Sequence, residues 1–167
     1  TANQYLKNSG TPGTLEFATL AGGKILQIVT GETTTETDVA STTMTDTTLT
    51  ATITPSATSS KIWVIANQRW SMDRLAVGLY AGLQLLRDST VIVAGSTYCQ
   101  GFQDNSSSSC LGQRARVTTM KMDSPSTTSA ITYKTQGTCG STTANSANVT
   151  FQEDSELSSI FLLEVGA

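Results

Sequence analysis

Residues Thr42 to Gln68, TTMTDTTLTATITPSATSSKIWVIANQ, alternate threonine with apolar side chains, stop at a proline and serine turn, and then alternate again. A period of two is the spacing of a pleated strand with one face buried and one wet. Leu49, Ala51 and Ile53 fall on one face, and Thr48, Thr50 and Thr52 on the other. Pro55 ends the first strand because it has no N–H to give to a ladder. The pattern predicts a β-hairpin. In its second arm, Lys61 to Trp70, Ile62, Val64 and Ala66 take one face while Trp63 and Ile65 take the other. A strand apolar on both sides needs cover on both, and in a chain of 167 residues another subunit can supply the second cover.

The rest of the composition agrees with a protein made of strands. The chain holds 30 threonines and 20 serines, and only 14% of its residues are charged. Threonine is β-branched and suits a pleated surface, and the hydroxyls keep that surface soluble without charge. Extracellular β-proteins and virion fibres share this make-up, and cytoplasmic enzymes seldom do. The length suffices for one core, and no shift of composition suggests two. A net charge of −3 and a pI near 4.8 argue against nucleic acid, which needs clustered cations. Arg114 and Arg116 share a strand face, but two arginines are too few. The longest apolar run, Leu75 to Leu86, is broken by Gly78, Gly82 and Gln84 and is too short to span a bilayer, so no membrane insertion is expected. No signal peptide is visible, and the start at Thr1 without an initiator Met fits Met removal or a piece of something longer.

Three cysteines, Cys99, Cys110 and Cys139, allow at most one intrachain bridge. Cys99 and Cys110 flank QGFQDNSSSS, an excursion between strands that a disulfide can staple; three idle thiols are the alternative. With no histidine and no Cys pair at close ligand spacing, zinc is not expected, nor is any cofactor.

Residues 1–23 read differently from 24–167. NSGTPG and AGG punctuate short apolar pieces at Tyr5, Leu6, Leu15 and Phe17, and no periodicity persists. An extended arm or shaft remnant that docks on a partner through Tyr5, Leu6, Leu15 and Phe17 is one reading, and a loose terminus the other. From Lys24 come KILQIVT, TETDVAS, TTLTATIT and KIWVIANQRW, each bounded by Gly, Pro, Asp or Ser. Arg74 to Asp88 fits both a helical stripe and perfect alternation. Two internal glycines, each costing a helix about 1 kcal/mol, decide for a strand. RDST then turns into VIVAG, and further strands are expected at Gln113–Met122, Ser129–Gln136, Asn148–Gln152 and Ser158–Val165. Eight to ten short strands imply an all-β antiparallel sandwich of the jelly-roll kind. A homotrimer would protect its edges and use the doubly apolar strands.

GKILQIV, TITPSATSSKIWVIANQ, LLRDSTVI, MDSPSTTSAITYKTQ and SSIFLLEVGA, in that order, resemble a family of tail-fibre and virion surface proteins of bacteriophages, many from marine and cyanobacterial phages. ANQYLKNSGTPGTLEFATL is similar to the short repeat that joins a fibre shaft to its tip. Together these pieces cover most of the chain. The resemblance implies a fibre-tip, spike or capsid-decorating sandwich, usually homotrimeric, at the virion surface, with a role in adsorption or surface structure and no catalytic motif. The chain departs from the pattern at YCQGFQDNSSSSC, the region that varies most among such proteins.

Ser-His and Cys-His catalysis are excluded by the lack of histidine. Carboxylate pairs remain, as in spikes that cut polysaccharide. Glu32, Glu36 and Asp38 form one cluster, and Glu153, Asp154 and Glu156 another, but each is local in sequence and reads first as a solvated acidic turn. The second could also gather a calcium ion. Trp70, Tyr98 and Phe102 offer flat faces that can stack on a sugar while Asn105 and Ser106 supply hydrogen bonds; the competing reading puts Trp70 and Tyr98 in the core. Asn105 and Asn148 open N-glycosylation patterns that a bacterial virus has no machinery to use. The expectation is a non-enzymatic surface protein that binds host glycan through weak sites made firm by avidity. A decoration or cement protein is the alternative, and a glycan depolymerase a more distant one.

Overall fold

The computed structural model describes residues 4–8, 10–19, 25–73, 79–95, 100–102, 113–141 and 148–166. Among them the chain is all β apart from a single 3-10 turn at Glu153–Ser155. The strands are β1 (Gln4–Asn8), β2 (Leu15–Thr19), β3 (Ile25–Thr33), β4 (Thr37–Val39), β5 (Thr45–Ile53), β6 (Lys61–Asp73) and β7 (Leu79–Arg87). They continue with β8 (Thr90–Val93), β9 (Gln100–Phe102), β10 (Gln113–Asp123), β11 (Ile131–Ser141), β12 (Asn148–Phe151) and β13 (Ser158–Val165).

Strands β3 to β13 make two antiparallel sheets packed face to face, and β1 and β2 pair separately. In one, β3 pairs β13, β13 pairs β6 and β6 pairs β10, while β12 and β4 continue the β13 and β3 positions toward the far end of β6. In the other, β5 pairs β11, β11 pairs β7, and β8 and β9 share the remaining edge of β7. With β3, β5, β6, β7, β8, β10, β11 and β13 counted as strands one to eight, the sheets read 1-8-3-6 and 2-7-4-5. That order is a jelly roll, as the spacing of strands and turns predicts, but β5 and β6 do not form the hairpin their shared alternation suggests: the Pro55 turn carries the chain from one sheet to the other, and the two apolar faces meet across the core.

The 13-residue β6 is the spine, and the alternation read in the sequence runs its whole length. Ile62, Val64 and Ala66 point inward to a cluster with Leu49, Ala51 and Ile53 of β5, Leu85 of β7, Ile131 and Tyr133 of β11, and Ile160 and Leu162 of β13. Trp70 and Met72 continue inward to a second cluster with Val39, Ala81, Leu83, Cys139, Val149 and Phe151. Between the clusters the inward residue of β6 is Gln68, fully buried, and a polar layer forms around it. Its Oε1 accepts from Thr135 Oγ1 (2.8 Å) and Thr47 Oγ1 (3.2 Å), and its Nε2 donates to Ser158 Oγ (3.2 Å). Gln152, oriented so that both ends of its amide are satisfied, donates to the Thr35 and Thr47 carbonyls (3.0 and 3.1 Å) and accepts from Ser158 Oγ (2.9 Å). Buried polar groups are tolerated when each finds a partner, and this layer ties together four strands, β5, β6, β11 and β13, and the segments that follow β3 and β12.

Close approaches hold the sheets at the right distance. At Gly31 of β3 a Cβ would overlap the Thr50 carbonyl of β5, and at Gly137 of β11 it would overlap the ring of Phe151 of β12. Opposite the polar layer, β5 bulges: Lys134 pairs Thr50 and Gln136 pairs Asp46, which leaves Thr48 in the left-handed region at φ 66. This is a costly conformation for a β-branched residue. The Thr48 hydroxyl bonds the Thr35 carbonyl at 3.3 Å and the Thr33 hydroxyl at 3.1 Å, which ties the bulge to the end of β3.

The N-terminal segment differs from the extended arm that its broken periodicity suggests. β1 and β2 pair as a hairpin, with Leu6 opposite Phe17 and Asn8 opposite Leu15. The turn uses Gly10 and Gly13 at φ 84 and 79, a region that glycine enters without strain, so NSGTPG is a hairpin signal as well as a break.

Candidate functional site

The two outer faces of the sandwich differ sharply. On β5 and β11 and at Gln84 of β7 the outward side chains are hydrophilic and satisfy one another, while Leu86 and the exposed Val91 make the β7–β8 edge apolar. The Thr52 and Thr132 hydroxyls lie 2.8 Å apart, Lys134 Nζ is 2.8 Å from Asp46, Gln136 Nε2 donates to Asp46 (2.8 Å), and Gln84 donates to Gln136 (2.7 Å). The hydrogen bond from Lys134, then that from Gln136, outweighs partial burial and holds the Asp46 carboxyl below its usual range. A depression of about 210 Å³ here is lined by Asp46, Thr48, Leu49, Thr50, Lys134 and Thr135, and its charges are already engaged.

On the β3–β13–β6–β10 sheet, one half of the outer face is apolar. The register places Ile28, Leu163, Trp63 and Met122 in one row across all four strands, and Thr30, Phe161, Ile65 and Met120 in the next. Met120 and Ile28 are each 59% exposed and Trp63 is 42% exposed; Leu26, Met122 and Phe161 are exposed beside them. The cause is local: Trp63, Ile65, Phe161 and Leu163 alternate with inward-facing core residues, so β6 and β13 carry apolar side chains on both sides. The following row is polar, with Glu32, Ser159, Asn67 and Thr118.

Beyond that row the face becomes ionic. Arg69 Nε lies 2.7 Å from Glu156, Arg116 Nη2 3.3 Å from the same carboxylate, and Arg114 Nε 2.7 Å from Glu153. Hydrogen bonding to Arg69 lowers the Glu156 carboxyl from its usual value, and hydrogen bonding to Arg114 does the same for Glu153, each against some desolvation. The acidic turn is therefore occupied by arginines. Among the described residues, no three His, Cys, Asp or Glu side chains gather as a metal site. Glu36 precedes β4 and Asp38 lies within it, accepting from Asn148 Nδ2 (3.3 Å) and from the hydroxyl of Thr150.

The sugar-stacking set does not come together. Trp70 is 1% exposed, in the second core cluster, and presents no ring face to a ligand. Its place was legible, because it shares the even parity of Ile62, Val64 and Ala66. Phe102 lies in β9, but its side chain is outside the described residues, as are Tyr98, Asn105 and Ser106. Cys99 and Cys110 also lie outside them, so the disulfide expectation stands as it was; Cys139 is buried, which pushes its thiol up. In the hairpin Leu6, Leu15 and Phe17 are exposed on one side, and the Tyr5 side chain is not among those described. Of the apolar face, the doubly apolar pattern of β6 points to Trp63 and Ile65; Met120, Met122 and Phe161 join them beyond that expectation, although the alternation in TTMKMD and the run SSIFLLEV carry the signal.

No protein-family model matches the chain, and no curated protein matches it. Among solved structures it is similar to a chain in the crystal structure of the T13 IBDV viral particle, at 10% sequence identity and a TM-score of 0.39. The match covers 97% of this chain and 42% of that one, so the protein spans about two-fifths of the length of the virus chain. A likeness that low carries no functional inference.

Proposed function

We propose that the chain is a non-enzymatic structural protein of a virion surface, the tip of a bacteriophage tail fibre or spike, which works as a homotrimer and meets host surface glycan by non-covalent contact. The observation that carries the reading is the contrast between the outer faces. One is hydrophilic and self-satisfied across β5 and β11, with a single exposed apolar residue among those described, Val91, at its edge, and the other holds an apolar field that an isolated protomer leaves in water. The phage-protein resemblance of the strand and turn segments supplies the setting.

A depolymerase is the weaker reading, because glycoside hydrolysis needs two carboxylates facing a common substrate site, and Glu153 and Glu156 are held by arginines. A capsid decoration or cement role draws on a separate observation: the exposed Leu6, Leu15 and Phe17 of the hairpin, a stripe fit to dock on a neighbouring virion protein. Labelling intact particles with an antibody to this chain, viewed by electron microscopy, tests both. Label at fibre tips, with loss of adsorption when the antibody is present, supports the attachment role; label over the capsid supports decoration; particles without label sink both.

A further inference from the structure

We infer that copies of this chain pack against one another through the apolar half of the β3–β13–β6–β10 face, an assignment that rests on the assembly reading above and names its surface. Leu26, Ile28, Trp63, Met120, Met122 and Phe161 leave on the order of 600 Å² of apolar side chain in water, as large as the biggest patch on an ordinary monomer and about three-quarters of one partner's share of a standard interface. The Ile28–Leu163–Trp63–Met122 row continues without a polar interruption from edge strand β3 to edge strand β10, and the next row is apolar from β13 to β10 with Thr30 at its β3 end, so the field reaches both edges of the sheet.

The chemistry of the field selects its occupant. It offers no convergent donors or acceptors to orient a sugar, and with the chain at −3 it is poorly suited to a polyanion. It suits a second apolar protein surface, and a copy of this chain brings one of matching size. The two methionines at the β10 edge add adaptable side chains that can repack as copies close together. The ionic half of the face, with Arg69, Arg114 and Arg116 already engaged by Glu153 and Glu156, forms a polar border at one end of the contact.

The test uses the full chain. Its mass is measured by light scattering across a concentration series, for the wild type and for M120K/M122K, I28K, T50K and L15K/F17K. Substitutions at Met120, Met122 and Ile28 sit at exposed positions on edge strands, and a circular dichroism spectrum reports whether the sandwich stays folded. An assembled wild type, with M120K/M122K and I28K folded but dissociating at concentrations at least about 100-fold higher, is the expected result. T50K, on the hydrophilic face, should remain assembled. A wild type that stays monomeric at high concentration overturns the inference, as does an assembly that survives M120K/M122K and I28K. Assembly lost only in L15K/F17K overturns it too, since the hairpin would then be the assembling element. A self-associating chain absent from virions would leave this face assigned while the virion reading fails.

Discussion

The carboxylate of Glu164, three residues from the end of the sequence, accepts the backbone N–H of Ser56 at 2.7 Å and its hydroxyl at 2.6 Å, in the turn that joins β5 to β6. Gln27 Nε2 donates to the same carboxylate at 2.6 Å and to the Thr54 carbonyl at 2.8 Å. The proline and serine turn that carries the chain from one sheet to the other is therefore locked by a fully buried acid on β13. In the same inward row, across Ile62, stands Asp123, so two carboxylates close this end of the core.

The first prediction concerns acid stability. Burial alone would raise the Glu164 carboxyl, but donors led by Ser56, with Gln27 beside it, bring it from 4.5 down to about 2. A depressed folded value means that its contribution, about 3 kcal/mol, is whole above pH 4.5 and is lost as pH falls toward 2. Replacing Glu164→Gln should cost about 2 kcal/mol at neutral pH and flatten the loss of stability between pH 4.5 and 2. Urea midpoints measured across that range check both; an unchanged acid limb would show that Glu164 is not the group responsible.

Asp123 links the sheets in a different way. Tyr133 Oη, from the opposite sheet, donates to Asp123 Oδ2 at 2.7 Å, and Arg87 Nη1 reaches the same oxygen at 2.8 Å. Burial first, and then the bond to Asp123, pushes the phenol above its ordinary value of 10. The stability it contributes is whole below pH 10 and falls as pH rises past that point. Tyr133→Phe should cost about 2 kcal/mol, the loss of a buried hydrogen bond to a charged group. It should also remove one phenol from the alkaline unfolding step followed by absorbance, and the same number of phenols ionising on unfolding as in wild type would contradict this.

Gly31→Ala should be among the most damaging single-methyl changes in the molecule. The added Cβ meets the Thr50 carbonyl and the Ala51 side chain, and backbone cannot swing aside as a side chain can. A loss of about 3 kcal/mol is expected. At Gly137 the obstacle is the Phe151 ring, so Gly137→Ala should cost less if that ring can turn. Thermal melts of the two variants, side by side, rank them; equal melting temperatures would refute the distinction.

The sequence made the strands legible because one physical signal, alternation, sets both the element and the face it buries. Ser158–Val165 and the two strands β5 and β6 follow from it directly, and so does the burial of Trp70 once parity is carried past Ala66, but alternation does not say which strand pairs which, and β5 and β6 lie in opposite sheets instead of forming a hairpin. What it hid were departures from two-residue periodicity. Gln68 occupies an inward position but is polar, and only partners distant in sequence, Thr135 and Ser158, make that tolerable. Thr48 at positive φ reveals a bulge that no turn residue announces. The apolar face is an intermediate case: each doubly apolar strand is readable alone, but the rows exist only through the order of β3, β13, β6 and β10, which pairs residues as far apart as Ile28 and Leu163.

The acidic turn after β12 yields the last prediction. Three neighbouring acids look like ligands for a hard cation, yet Glu153 and Glu156 accept from Arg114, Arg69 and Arg116, and Asp154 stands in the left-handed region at φ 57 within a single 3-10 turn. A cation would have to displace guanidinium groups already in place. Millimolar calcium and an excess of chelator should therefore give the same melting temperature. Arg69→Met should lower it, because that side chain is only 5% exposed and also donates to the Ala115 carbonyl (3.3 Å), so its loss strands buried acceptors at a cost of about 2 kcal/mol. Glu156→Gln should change little, since a carboxylate 45% exposed is largely solvated by water already. A rise in melting temperature with calcium, abolished by Glu153→Gln, would return the turn to the role of a cation site and leave the arginines as its closing partners only in the absence of metal.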